Sequence, residues 1–282
     1  MELTITILLF LIGIVLIVKG GDFFVDAATW MAEVSGIPKV IIGATVVSLA
    51  TTLPEMLVSV IAAMDGKVDM AVGNAVGSVT ANIGLIMAIS LVFMPGAINR
   101  KDYVPKSILM FCASLVIVAS GRAGHIGLFL SAVLMVLFAL FLIENIRSTQ
   151  RSMHKNTALK AAEYVAAGGA ASVPLSKAGP DRSVVLINTA KFIGGAIGIV
   201  VGANLLVNNG SELARYIGIS ERIIGVTLVA IGTSLPELVT TITAIVKKQS
   251  SLSIGNILGA NIIDLTLILP VSMACAGKPL PI

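Results

Sequence analysis

Apolar residues run through this chain in long, nearly uninterrupted blocks. Eight blocks stand out, at roughly 3–26, 40–64, 68–94, 104–120, 124–146, 184–209, 222–246 and 251–275. Each is long enough to cross about 30 Å of hydrocarbon as a helix. The pattern predicts an all-α polytopic membrane protein with about eight spans. Polar positions break the blocks at two matching places. Residues 49–55 read LATTLPE and residues 231–237 read IGTSLPE. Each sets a proline and then a carboxylic acid deep inside an apolar run.

The match is part of a longer one. Shifted by 182 positions, the chain falls onto itself without a gap: Gly13 meets Gly195, Gly20 meets Gly202, Pro54 meets Pro236 and Glu55 meets Glu237. Gly73, Asn74 and Gly77 meet Gly255, Asn256 and Gly259, and Asn82 meets Asp264. A period this long is a duplicated membrane half, not a solenoid unit. Five spans separate equivalent points, and five is odd, so the second copy starts on the opposite side of the membrane. Inverted-topology repeats of this kind carry substrate near mid-membrane, between the copies, on interrupted helices. The expected organisation is a first membrane repeat of five spans over 1–146, a cytoplasmic linker over 147–183 and a second repeat over 184–282. Only three spans of the second repeat are present, which reads as a truncation or a short variant. The linker is rich in Ala, Gly, Ser and Lys, with room for a brief helix near 157–167.

Charge sets the orientation. Of 282 residues, 56% are hydrophobic and 12% charged, about half the charge of a soluble domain. The net charge of +4 comes from basic residues between spans, so it points to lipid rather than nucleic acid. With the 147–182 loop inside, the cytoplasmic face holds fourteen Lys and Arg against five on the other face. The protein is therefore expected to be multi-pass in the cell membrane with its N-terminus outside. The first block lacks a basic leader and a small-residue cleavage site, so it reads as a span, not a signal peptide. Cys112 and Cys275 read as packing residues without a disulfide framework. Trp30, His125 and His154 read as anchors or solvated residues, and Asp22, Asp26 and Glu33 as interfacial.

Glu55 and Glu237 each occupy the fifteenth place in a run of twenty-four, at Ile41–Met64 and Ile223–Val246. An intramembrane carboxylate costs a few kcal/mol or more and needs a partner, yet neither run contains Lys or Arg. The acids must be protonated or balanced by a mobile cation. Their neighbours favour a hard metal ion. Thr51 and Thr233 lie one turn earlier, and Ser48, Thr52 and Ser234 add hydroxyls. Pro54 and Pro236 displace the carbonyls of Ala50 and Gly232, which is tolerated at membrane depth where backbone lines a cavity. Carboxylate, hydroxyl and carbonyl oxygens are the ligand set of calcium. On the third span Asn74, Ser78 and Asn82 form one polar stripe. Its counterpart is Asn256, Ala260 and Asp264, with Asn261 alongside. The pairs Gly73–Gly77 and Gly255–Gly259 predict close helix contacts. Taken singly, these features have structural readings: a proline as a kink, a threonine bonded to its own helix, an asparagine joining helices. A glutamate beside proline at the same depth in both copies fits those readings poorly.

These motifs resemble the sodium/calcium exchangers of the calcium/cation antiporter superfamily, in their prokaryotic form. GTSLPE at 232–237 and GNILGANIID at 255–264 carry the resemblance, with looser copies ATTLPE at 50–55 and GNAVGSVTAN at 73–82. The resemblance implies ten spans, of which the second, third, seventh and eighth enclose the ion sites. It implies that Glu55 and Glu237 bind calcium with the carbonyls of Thr51 and Thr233. Sodium would use Thr52, Ser78 and Ser234 with the carbonyls of Ser48 and Ala230, while Asn82 and Asp264 complete the centre. Ala260 departs from the serine often found there. The implied activity is sodium-for-calcium antiport without a cofactor and without enzymatic chemistry. The implied partners are calcium, sodium and the lipid bilayer, with no protein partner. Proton/calcium exchange, potassium-dependent exchange and a calcium-permeable channel are the rival readings.

Overall fold

The computed structural model describes residues 2–66, 68–93, 100–166, 181–218, 232 and 234–281. Eight helical elements account for nearly all of them: α1 (Glu2–Ser35), α2 (Lys39–Met64), α3 (Val68–Phe93), α4 (Arg100–Ala123), α5 (Leu128–Ala166), α6 (Arg182–Tyr216), α7 (Leu235–Val246) and α8 (Ser250–Ala276). All but α7 are long and apolar enough to cross a membrane. The first half of the run at 222–246 lies outside the described residues. Glycines in the left-handed region, Gly36 (φ 70°) and Gly66 (φ 76°), close the turns after α1 and α2, where a side chain would be strained. A two-residue strand, His125–Ile126, pairs antiparallel with Leu280–Pro281.

The apolar runs locate the spans but understate their length. α1 continues to Ser35, and Asp22 and Asp26 find a partner in its C-terminal half. Lys247 lies 2.8 Å from Asp26 and 3.3 Å from Asp22. α5 continues unbroken through 147–166, much of the segment expected to be linker, since no proline or glycine interrupts it before residue 168.

Three polar-bearing helices contain one widened turn each. The turns are Gly43–Val47 in α2, Asn82–Met87 in α3 and Asp264–Ile268 in α8. The last two begin at Asn82 and Asp264, which are equivalent in the 182-residue register. Single π-type turns of this kind recur at functional sites.

Glycine seams bring the helices together. A Cβ on Gly20 would lie 2.9 Å from the Gly195 carbonyl, and one on Gly202 would lie 2.8 Å from the Gly13 carbonyl. α1 and α6 therefore touch backbone to backbone. Phe24 and Phe192 stack beside this seam, ring centroids 4.6 Å apart. Gly255 and Gly259 pack α8 against Val40, Ala44 and Ser48 of α2. Gly73 and Gly77 meet no described residue, and the matching segment of the other copy, 222–230, is outside the described set. α8 is the central helix: 78% of its apolar window is buried, against 44% for α2 and less for the other spans. Its C-terminal half packs with α3, α4 and α5 through Val79, Ala113, Leu134, Ile263 and Ile268.

Candidate functional site

Where α2, α3, α7 and α8 meet, the interior turns polar. Ser48, Thr51, Thr52 and Glu55 project from α2, Ser78 and Asn82 from α3, Glu237 from the start of α7, and Asn256, Asn261 and Asp264 from α8, all buried. Ser234, also buried, precedes α7. Thr233 and Ala230 lie outside the described residues.

The two prolines act differently. Pro54 sits inside continuous helix, so Glu55 follows an intact but weakened turn. At the other acid the helix starts afresh. Ser234 has non-helical backbone (φ −89°, ψ 5°), and Pro236 and Glu237 fall in the first turn of α7. Proline suits that turn because its missing N–H has no helical partner there. The carboxylate faces the positive end of the helix dipole.

Hydrogen bonds shape the lining. Thr52 Oγ1 donates to the Ser48 carbonyl at 2.6 Å and lies 3.3 Å from Glu237 Oε1, tying the two copies together at their centre. Thr51 Oγ1 lies 3.3 Å from both the Ser48 carbonyl and Asn256 Oδ1. Asn74 Nδ2 donates to the Glu55 carbonyl at 3.1 Å and to Ser59 Oγ at 2.9 Å. Asn74 thus fixes the backbone that carries Glu55 from behind, a role its place in the polar stripe did not distinguish from lining the pocket.

What remains unpaired is more telling. Both carboxylate oxygens of Glu55, both of Asp264, Glu237 Oε2, Asn82 Oδ1, Asn261 Oδ1, Ser78 Oγ and Ser234 Oγ are buried without a hydrogen-bond partner. Buried polar atoms in folded proteins are nearly always satisfied, so a cluster of orphan oxygens marks a place for a ligand. Ion pairs among the described residues join Glu33 to Lys39 and Lys247 to Asp22 and Asp26, all away from this cluster. Among the described residues no three acidic, His or Cys side chains converge tightly enough to hold a metal alone. A bound cation would therefore need hydroxyl, amide and carbonyl oxygens as well.

A buried, oxygen-rich and electronegative chamber between helices of a polytopic bundle is the arrangement of a cation transporter. The sodium/calcium exchanger protein family profile matches residues 5–146 and 187–281, and the chain belongs to that family. Among its relatives, the inner membrane protein YrbG of Escherichia coli is 34% identical over 93% of this chain and 77% of its own length. The sodium/calcium exchanger MaX1 of Methanosarcina acetivorans is 31% identical over 96% of this chain and 83% of its own. A solved structure of the sodium-calcium exchanger NCX_Mj, soaked with sodium and strontium, superposes with a TM-score of 0.80 at 28% identity, covering 99% of this chain and 84% of that one. The chain is thus an all-α, multi-pass membrane transporter of the exchanger family.

Proposed function

We propose that the protein exchanges sodium for calcium across the cell membrane by alternating access, with the ions held between Glu55 and Glu237. The observation that carries this reading is the cluster of unpaired oxygens around two glutamates, one from each sequence copy, with no cationic side chain paired to them among the described residues. Calcium balances the carboxylates with Thr51 and Thr233 contributing carbonyl oxygens. Several sodium ions balance them instead, using Thr52, Ser78, Ser234 and the carbonyls of Ser48 and Ala230, with Asn82 and Asp264 completing the chamber. Both ions compete for the same oxygens, and that competition couples their fluxes. Bare carboxylates in a low-dielectric chamber are costly, so the empty site does not switch between faces.

The two halves, 1–146 and 184–282, are read as inverted copies joined by the cytoplasmic segment 147–183, with the N-terminus outside. The reciprocal contacts of Gly13 with Gly202 and Gly20 with Gly195 support this, because a two-fold relation exchanges one pair for the other. α1 and α6 form one unit that slides past the four-helix core.

The test is sodium-gradient-driven uptake of radiolabelled calcium into proteoliposomes by wild type, Glu55→Gln and Glu237→Gln. Each variant removes one charge from beside a divalent ion. At an effective dielectric near 20 one unit-charge contact is worth about 4 kcal/mol, so uptake falls by more than about a hundredfold. Wild-type uptake by either variant refutes the site. Replacing the sodium gradient with a proton gradient, or adding potassium, distinguishes this reading from its antiport rivals. Calcium flux without any counter-ion identifies a channel.

A further inference from the structure

The 182-residue register pairs more than the ion site. Asp22 and Asp26 of α1 fall on Asn204 and Asn208 of α6, and Lys247, just past α7, falls on Asp65, just past α2. One copy thus sets two carboxylates against a lysine. The other sets two amides against a carboxylate.

The first set is closed. Lys247 Nζ lies 2.8 Å from Asp26 Oδ1 and 3.3 Å from Asp22 Oδ1, and donates to the Asp22 carbonyl at 3.0 Å. Asp22 and Asp26 are one helical turn apart and share a face, so a single ammonium ties that face of α1 to the turn between α7 and α8. Gly21 admits α7 closely: a Cβ there would lie 2.7 Å from Thr243 Oγ1 and 3.1 Å from Val239 Cγ1. Its register partner is Ala203, which carries such a Cβ. The same turn is held again by Lys39 Nζ, which donates to Gln249 Oε1 at 2.9 Å and to Glu33 Oε1 at 3.0 Å.

The second set is apart. Asn204 and Asn208 are exposed, make no hydrogen bond to a described residue, and line the open space between α6 and α2. The molecule is therefore asymmetric twice over, in which set is closed and in which set carries opposite charges.

We propose that Lys247, Asp22 and Asp26 form a one-sided latch, which holds α1 on α7 and makes the conformation seen here the resting one. The inference rests on the exchange reading for the existence of a second conformation. When α1 and α6 slide as a unit, α1 leaves the α7 end and the two-fold relation brings α6 to the α2 end. There Asn204 and Asn208 meet Asp65 without a charge pair, and the Ala203 methyl stands where Gly21 has none. The side chain of Lys247 is 22% exposed and that of Asp26 58%. Solvent keeps such pairs weak, so the latch shifts the ratio of the two conformations by up to about fivefold. An ion that must wait for the disfavoured conformation sees its apparent affinity lowered by the same factor. The latch thus sets unequal apparent affinities at the two faces while touching no ion ligand.

Two measurements test this. Initial rates of sodium-driven exchange with radiolabelled calcium are taken in inverted and in right-side-out membrane vesicles, which present opposite faces. Lys247→Met opens the latch, and Asn208→Lys builds a second one against Asp65; both move the balance toward the other conformation. In each, the apparent KM for calcium falls about two- to fivefold at the face nearer Lys247, cytoplasmic in the orientation proposed above, and does not fall at the other face. The charge swap Asp26→Lys/Lys247→Asp brings KM back toward wild type, which a merely structural Lys247 would not allow. An unchanged KM at the Lys247 face, or a parallel change at both faces, overturns the latch. In the second measurement nitroxide labels on Val34→Cys and Ile242→Cys, in a Cys112→Ser/Cys275→Ser background, report the α1–α7 separation in nanodiscs by double electron–electron resonance. Lys247→Met is expected to enlarge a population at longer distance. A distance distribution identical with and without Lys247→Met also overturns the proposal. If wild type moves no calcium, the exchange reading fails, while the distances still decide whether Lys247 holds α1 to α7.

Discussion

Gly194 and Gly195 are neighbours in α6 that predict opposite outcomes for the same substitution. Gly194 is exposed on the lipid side, and a Cβ built there meets nothing within 4 Å. Gly195 faces α1, where a Cβ would lie 2.7 Å from both the Gly20 carbonyl and the Phe24 amide nitrogen. Those are backbone atoms, so no side chain can swing aside. α1 and α6 must part by roughly 0.7 Å to restore ordinary contact, a gap that forfeits about a quarter to a half of the dispersion energy along the seam. Overpacking of this kind costs about 1–3 kcal/mol. Gly194→Ala instead gains up to about 1 kcal/mol through helix propensity. Thermal unfolding in detergent, followed by size-exclusion fluorescence, should give Gly194→Ala a midpoint at or above wild type and Gly195→Ala one several degrees lower. Equal midpoints would mean that the seam is not a close backbone contact, and the account of how α1 and α6 join would be wrong.

Two other substitutions probe the site and its periphery. Ala260→Ser places a hydroxyl where the register matches Ser78, beside the unpaired Asp264, and should lower the sodium concentration for half-maximal exchange by about tenfold or less; an unchanged sodium dependence would remove position 260 from the site. Lys247→Met frees Asp22 and Asp26 at partly exposed positions, so it should cost no more than about 1 kcal/mol. That loss, measured as a melting shift at low salt, should shrink at high salt.

Much of this fold was readable from hydropathy because lipid imposes one rule on every span. The paired acids were readable because the duplication repeats them: a single Glu after a proline is ambiguous, but Glu55 and Glu237 at matching depth are not. The copies are less equal than their sequences suggest. ATTLPE continues through its proline, whereas GTSLPE begins a new helix at Leu235, a difference the two near-identical motifs do not foretell. The widened turns at Asn82 and Asp264 carry no sequence mark, since an extra residue in one turn leaves composition untouched. Asn74 stood in a stripe with Ser78 and Asn82, and only the geometry separates the residue that braces Glu55 from those that line the chamber.

The central helix, Ser250–Ala276, follows the other seven in the chain. During N-to-C synthesis the preceding spans enter the bilayer before the element that fills their middle exists. Until it arrives, Ser48 and Thr51 lack the neighbours that later enclose them, and Val40 and Ala44 have no glycine surface to close upon. The centre of the bundle therefore cannot close before α8 is made. A ribosome stalled before Ser250 leaves a hollow assembly whose polar lining faces lipid, the kind of exposed signal by which membrane quality-control proteases select incomplete chains.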